Sequence, residues 1–337
     1  MSEPKPPDLN DQLLAGTLPA DPFVGVVMSE DVPRIWSVRD LLAESMRFCL
    51  EQTRRSYCTL GHHAIDRATG GALAGEATFL GADSSWGKSS YAVMVADDNS
   101  RRGKRVLVVS AEDSKLTFAN RLMRRRARVP AKPMRDKHLS SDELARVIDA
   151  HAKSELAPVF IDARGKPVEW LAPRIKTAIN EHGIELLVCD YVGAFNKSKH
   201  LNDQGQRGTT QYIARTLVDI VKTCSPTGIA ALILSQLTLD EKSPVPGKYS
   251  LRDSKDLVHM AENVLIGFIA PDNLTQEAGN RAVASKGDRC IRIVKAKEGE
   301  ISKLPLVLPW NDTVACFETD LDPEQLRLDS LGAERYP

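Results

Sequence analysis

The chain has 337 residues, 42% hydrophobic and 27% charged, with 45 Lys and Arg matched by 45 Asp and Glu. That balance is typical of a soluble globular protein and excludes a histone-like or wholly basic nucleic-acid binder, though not a narrow basic channel. No apolar run approaches the roughly 20 residues of a membrane span, Met1–Asn10 is too polar for a signal peptide, and the six cysteines form no C-x-x-C pair, so membrane, structural-zinc and redox-dithiol classes fall away and a cytoplasmic setting is expected.

The length fits two domains, or one large α/β domain with an added arm. Residues 1–35, proline-rich and aperiodic, predict an extended or disordered N-terminal arm. A helix is expected over about 37–55, because Ser37 and Asp40 have the form of a capping box and Val38, Leu41, Leu42, Met46, Cys49 and Leu50 fall on one face. That stripe packs either on its own domain or, as a linker helix at 36–58, on a neighbouring subunit. From Leu60 the pattern becomes strand, glycine-containing turn and helix, repeated. Short apolar runs at 77–80, 105–110 (RVLVVS), 158–161 (PVFI), 186–189 (LLVC), 230–234 (AALIL) and 264–269 predict strands. Stretches at 88–99, 143–151, 170–182 and 211–222 predict the helices between them. Near-continuous apolar strands alternating with helices predict an α/β fold with a mainly parallel twisted sheet flanked by helices. Runs at 289–294 and 304–308 predict an antiparallel continuation, and the charged tail 321–337 a loose end.

The strongest local signal is Ala82, Asp83, Ser84, Ser85, Trp86, Gly87, Lys88 and Ser89, between a predicted strand and helix; Ser90 completes the candidate nucleotide-binding set. It departs from G-x-x-x-x-G-K-[ST] only at the first position, with Gly81 one residue early. A turn into a helix N-terminus aims several backbone N–H groups at one spot, and the helix dipole adds positive potential. Gly87 lets the backbone approach a phosphate, Lys88 reaches the β- and γ-phosphates, and the Ser89 hydroxyl suits Mg²⁺. Asp190 ends the strand run ELLVCD and is the candidate carboxylate for the metal. Glu112, closing RVLVVS, is the candidate general base, with Asp113 its rival. Trp86 either packs beneath the loop or meets the nucleotide's surroundings.

Arg121, Arg124, Arg125, Arg126 and Arg128 form the densest basic run, read as a solvated helix face, with subunit or duplex contact as the alternative. His62 and His63 read as a surface pair. The polar loops 196–208 and 238–250 are either solvated connections or channel-lining segments.

With these residues in place, the chain resembles the ATPase domain of DnaB-like replicative hexameric helicases, which have a RecA-type fold. The landmarks run in order over about 60–318. They are Gly61-His-His-Ala-Ile-Asp66…Gly70-Gly71; the loop, whose leading Ala82 is the family form; Ser110-Ala-Glu112; Asp190-Tyr191; Leu234-Ser235-Gln236-Leu237; Leu251-Arg252-Asp253-Ser254 with Ala261-Glu262; and Ile293-Val-Lys295-Ala-Lys297-Glu-Gly299. The resemblance implies a RecA-like P-loop NTPase domain over 59–320, with ATP and Mg²⁺ as ligands. It implies catalysis by Lys88, Glu112 and Gln236 of one subunit with Lys295 and Lys297 of the next. It also implies single-stranded DNA contacts through Arg252, Asp253 and Lys255, to which the basic residues Lys197, Lys199 and Arg207 of the 196–208 loop are added. Lys297 stands where the family usually has an arginine finger, and Lys255 replaces a family glycine. The expected function is a ring-shaped, hexameric, ATP-dependent helicase or translocase on single-stranded DNA, with a loader or primase as partner, in a bacterial or phage-infected cytoplasm. The alternatives are a RecA-type recombination or loading ATPase that does not unwind, and a structural DNA-binding assembly using ATP as an interface ligand.

Overall fold

The computed structural model describes residues 37–38, 42, 57–83, 85–154, 157–196, 206–225, 228–237, 246, 250, 254–271, 274–275, 282–297, 299–302 and 304–319. The expected arm, most of the linker helix and the tail lie outside them. The chain divides into two compact units, Met1–Arg55 and Ser56–Pro337; in the first, Val38 and Leu42 are helical.

The second unit holds, in chain order, α1 (His63–Thr69), β1 (Ala77–Ala82), α2 (Lys88–Arg101), β2 (Val106–Ser110), α3 (Lys115–Ala127), α4 (Ala131–Asp136), α5 (Ser141–Ala152), β3 (Val159–Asp162), α6 (Val168–His182), β4 (Leu186–Asp190), α7 (Gln206–Thr223), β5 (Ala230–Gln236), α8 (Ser254–Met260), β6 (Asn263–Ile269), β7 (Leu274–Thr275), β8 (Ala282–Ala284), β9 (Arg289–Ala296), β10 (Leu306–Val307), β11 (Trp310–Asn311) and β12 (Cys316–Phe317). The main sheet has eight strands in the order β10-β9-β6-β1-β5-β4-β2-β3. β6, β1, β5, β4, β2 and β3 pair in parallel, and β9 and β10 continue the sheet antiparallel, as expected from the sequence.

The apolar runs lack polar alternation because both faces of the sheet are covered. Phe79, Leu107, Val109, Leu187 and Ile233 point into one core, shared with Leu171 and Ile175 of α6 and Ile213 and Leu217 of α7. Their neighbours Leu80, Val106, Val108, Val188 and Leu232 point into the other, shared with Tyr91, Met94 and Val95 of α2. Helix ends follow local chemistry: Ser140 caps α5 in a reciprocal capping box with Glu143.

The 304–308 run is shorter than expected, since only Leu306 and Val307 pair. Pro305 and Pro309 flank them and have no N–H to donate to a ladder. The basic run is not one solvated face: Arg128 is exposed, but Arg121, Arg124 and Arg126 are half-buried and Arg125 is buried. The buried Arg125 of α3 pairs with Asp97 and Asp98 of α2, at 3.2 Å to Asp97, and the half-buried Arg126 pairs with Asp97 at 2.7 Å. His62 is likewise no surface residue: it is buried, stacks on His63 and accepts from the Ala64 N–H at 3.2 Å.

Candidate functional site

The parallel strands bring their C-terminal ends to one edge. The register pairs Ala82 with Gln236 on one side and Gly267 on the other, and Ser110 with Asp190. The Ala111 N–H donates to the Asp190 carbonyl at 2.8 Å. Residues far apart in sequence thus meet because each closes a strand of the same sheet.

Gly87 is the N-cap of α2 at φ 105°, a left-handed conformation that an L side chain resists. A Cβ there would also lie 3.3 Å from both Phe317 and Trp310. Trp86 packs beneath the loop. It is fully buried, its indole N–H donates to the Cys290 carbonyl at 3.0 Å, and its ring contacts Phe317 with centroids 4.8 Å apart. Gly267 of β6 makes room for that ring, since a Cβ would come within 2.6 Å of it. The Trp86 N–H closes the turn on the Asp83 carbonyl at 3.2 Å. Ser84 lies outside the described residues.

Lys88 is buried and its ammonium donates to the Ala82 carbonyl at 2.9 Å. Burial pushes its pKa down, against the pull of Asp190, Glu112 and Asp83. Burial pushes the Asp190 carboxyl up, while the Ser89 hydroxyl donates to it and favours the charged form. Asp190 Oδ1 is buried without a hydrogen-bond partner among the described residues. A hydroxyl beside an orphaned carboxylate oxygen is a donor set of hard oxygens, few in number, which fits Mg²⁺ held largely by water and phosphate. Ser90 donates to the Ala315 carbonyl at 3.3 Å, so it helps seat the 310–317 segment on α2.

The backbone N–H groups of Glu112 and Asp113 both donate to the Ser110 hydroxyl, at 3.2 and 2.8 Å. Their side chains part company. Asp113 is ion-paired with Arg121 of α3, whereas Glu112 is exposed and couples electrostatically to Lys88, Asp190 and Arg121. Arg121, assigned from sequence to a solvated face, therefore stands at the site, where burial lowers its pKa against the pull of Asp190 and Glu112. Gln236 donates from Nε2 to the Tyr191 hydroxyl at 2.9 Å.

Sequence reasoning missed a wall beside the loop. Arg289 donates to the Ser85 carbonyl at 3.1 Å and lies 3.9 Å from the centre of the Trp310 ring, which meets Phe317 edge-on at 4.9 Å. The β11–β12 strands are two residues each, too short for a periodic signal; a Trp before Asn-Asp was the only hint.

Lys295 and Lys297 lie at the opposite edge. Lys295 pairs with Val264 and Ala296 with Asn263, the first residues of β6, whereas the phosphate loop adjoins Gly267. At about 3.3 Å per strand residue, the two ends are separated by some 10 Å along the strand alone. The Lys295 ammonium donates to the Val258 carbonyl at 2.8 Å and to the Ala261 carbonyl, while Lys297 is exposed. Glu262 is structural: it accepts from the Ala77 N–H at 3.0 Å and pairs with Lys222 at 2.9 Å. Lys197, Lys199, Arg252 and Asp253 lie outside the described residues; Arg207 and Lys255 belong to α7 and α8, with side chains not described.

The family model of the DnaB-like helicase C-terminal domain matches residues 58–319, and the chain belongs to that family. One solved structure, of an isolated ATPase domain, superposes with a TM-score of 0.72 at 18% identity, covering 86% of this chain and 100% of that one. Another, of a DnaB-like replicative helicase described with its interactions with primase, gives 0.69 at 17% identity, covering 87% and 69%. At these identities the likeness is one of fold, and that fold is the RecA-like α/β ATPase domain. No curated protein matches the chain.

Proposed function

We propose that this chain is the motor subunit of a ring, formed by copies of itself and hexameric by family resemblance, that hydrolyses ATP to translocate on single-stranded DNA and unwind duplex during replication. The observation that carries the reading is the division of the chemistry between two sheet edges. Lys88, Ser89, Glu112 and Asp190 converge on one, and the basic Lys297 stands on the other. One subunit cannot close its own site; two in head-to-tail contact can, and such contacts generate rings.

In this site the N-terminal turn of α2 and Lys88 cradle the phosphates, and Asp83, Ser84, Ser85, Trp86, Gly87 and Ser90 shape the loop around them. Ser89 and Asp190 would hold Mg²⁺, which when bound neutralises charge on the β- and γ-phosphates. Glu112, free of the ion pair that occupies Asp113, takes the proton of the attacking water. Arg289 and Trp310 offer a flat face to the base. Gln236, tied to Tyr191, transmits loss of the γ-phosphate to the 238–250 loop that follows it. Arg252, Asp253 and Lys255, with Lys197, Lys199 and Arg207, serve the DNA strand in the bore. A loader or primase is the expected partner, and the cytoplasm the compartment.

The test is a forked-DNA unwinding assay on wild type and Lys88→Ala, with particle size measured in parallel. Strand-stimulated ATPase and unwinding in rings, both lost in Lys88→Ala, are expected. Stimulated hydrolysis in filaments without unwinding would replace the helicase with a recombination-type ATPase.

A further inference from the structure

A pocket of about 430 Å³ opens at the edge of the sheet remote from the phosphate loop, between α7, the end of α8 and the end of β9. Arg215, Lys222, Lys295 and Lys297 supply its positive charge. These cations are not equivalent. Lys222 is ion-paired with Glu262 at 2.9 Å. The Lys295 ammonium is bound to the carbonyls that end α8. Arg215 is exposed and its side chain forms no ion pair or hydrogen bond among the described residues; Asp219, one turn along and lining the same pocket, forms no ion pair there either.

We propose that Arg215 is the guanidinium that reaches the γ-phosphate of the neighbouring copy's ATP, supplying the planar fork that Lys297 lacks. The proposal rests on the shared-interface reading of the ATP site. A lysine is a compact point charge, whereas two N–H groups of one arginine match two phosphoryl oxygens at once. Arg215 also has a fixed base: Ile213, Ala214, Leu217 and Val218 are buried on either side of it, so the 18-residue α7 holds its Cα while the long stem projects. Lys295 then acts by position, tying β9 to α8, and Lys297 adds charge beside the fork. In the step itself, water adds to the γ-phosphorus and its proton passes to Glu112. The bond from phosphorus to the β–γ bridging oxygen breaks, and ADP leaves with that electron pair. Arg215 forms no bond to phosphorus; it holds charge on two of the transferring oxygens.

The test is Mg²⁺-dependent ATP hydrolysis by the full chain with a single-stranded oligonucleotide, with circular dichroism and particle size unchanged. Arg215→Ala should lower kcat by about 100-fold or more while KM moves by less than about threefold. Arg215→Lys should stay impaired, and Lys297→Arg in the Arg215→Ala background should recover about tenfold or more, because it restores a fork to the same pocket. Mixing Arg215→Ala subunits with Lys88→Ala subunits should regain hydrolysis, since one partner keeps an intact loop and the other lends its arginine. Wild-type kcat in Arg215→Ala overturns the proposal. So does recovery in a Lys297→Ala plus Lys88→Ala mixture but not in the Arg215→Ala mixture, a result that leaves the shared interface standing. Recovery in neither mixture overturns both.

Discussion

Asp66 shows how much one buried group governs. Its carboxylate accepts from the Thr59 hydroxyl at 2.5 Å and from the Leu60 N–H at 2.7 Å, yet burial still raises its pKa to about 6 from 3.8. Between those values the folded protein keeps a proton that the unfolded chain releases, so stability falls as pH rises through the window. For Asp66→Asn that slope disappears. The unfolding free energy of wild type relative to the variant should therefore drop by about 2 kcal/mol between pH 4.5 and 7, read from urea unfolding at each pH; parallel curves would refute the assignment. Sequence marked Asp66 as a landmark without a role. Its partners lie six and seven residues upstream, and only α1 turning back against the 57–61 segment brings them to it. Trp86 was ambiguous in sequence for the same kind of reason, because the space beneath the loop is made by Gly267, 181 residues away.

Among elements, the contact of α2 with α3 is ionic where sequence suggested solvent. Arg125 pairs with Asp97 and Asp98, and donates to the Phe317 carbonyl at 2.8 Å, joining two helices to β12. Losing one member of a buried network strands the other charges, so Arg125→Ala should destabilise by about 3–5 kcal/mol. The exposed α5 pair Lys153–Asp149 is the control, and Lys153→Ala should cost under about 0.5 kcal/mol in the same denaturant titration. Equal effects would show that burial is not what matters. Five arginines in eight positions look like a charged face to any periodicity argument, because composition does not reveal that acids on the preceding helix meet them. The central strands β1, β2, β4, β5 and β6, by contrast, were legible: each is a short run buried on both sides, and burial on both sides leaves an unbroken apolar stretch. β11 and β12 were not, being only two residues long.

For the whole molecule, zero net charge sets an expectation for nucleic-acid binding. Affinity must come from a few concentrated cations, so its salt dependence should be modest and traceable to named residues. Removing Arg252 and Lys255 together should flatten the plot of log affinity against log salt by roughly 1.4 for each contacting subunit, measured with a single-stranded oligonucleotide. An unchanged slope would remove them from the bore. The same large-scale view makes the proposed site bipartite, since the antiparallel β9 ends at the edge where the parallel strands begin.

The order of motifs along the chain, read by itself, determined the class of fold, the phosphate loop and the residues that close each central strand. Such features are local: a run of apolar residues or a glycine before a lysine carries its meaning within a few positions. Tertiary structure alone decided which carboxylate, Glu112 or Asp113, is ion-paired with Arg121, why Trp86 is buried, and that Lys295 is spent on the end of a helix while Arg215, exposed, lines the same pocket. Those outcomes depend on which elements the fold brings side by side, and partners as much as 204 residues apart leave no mark on the residues between them.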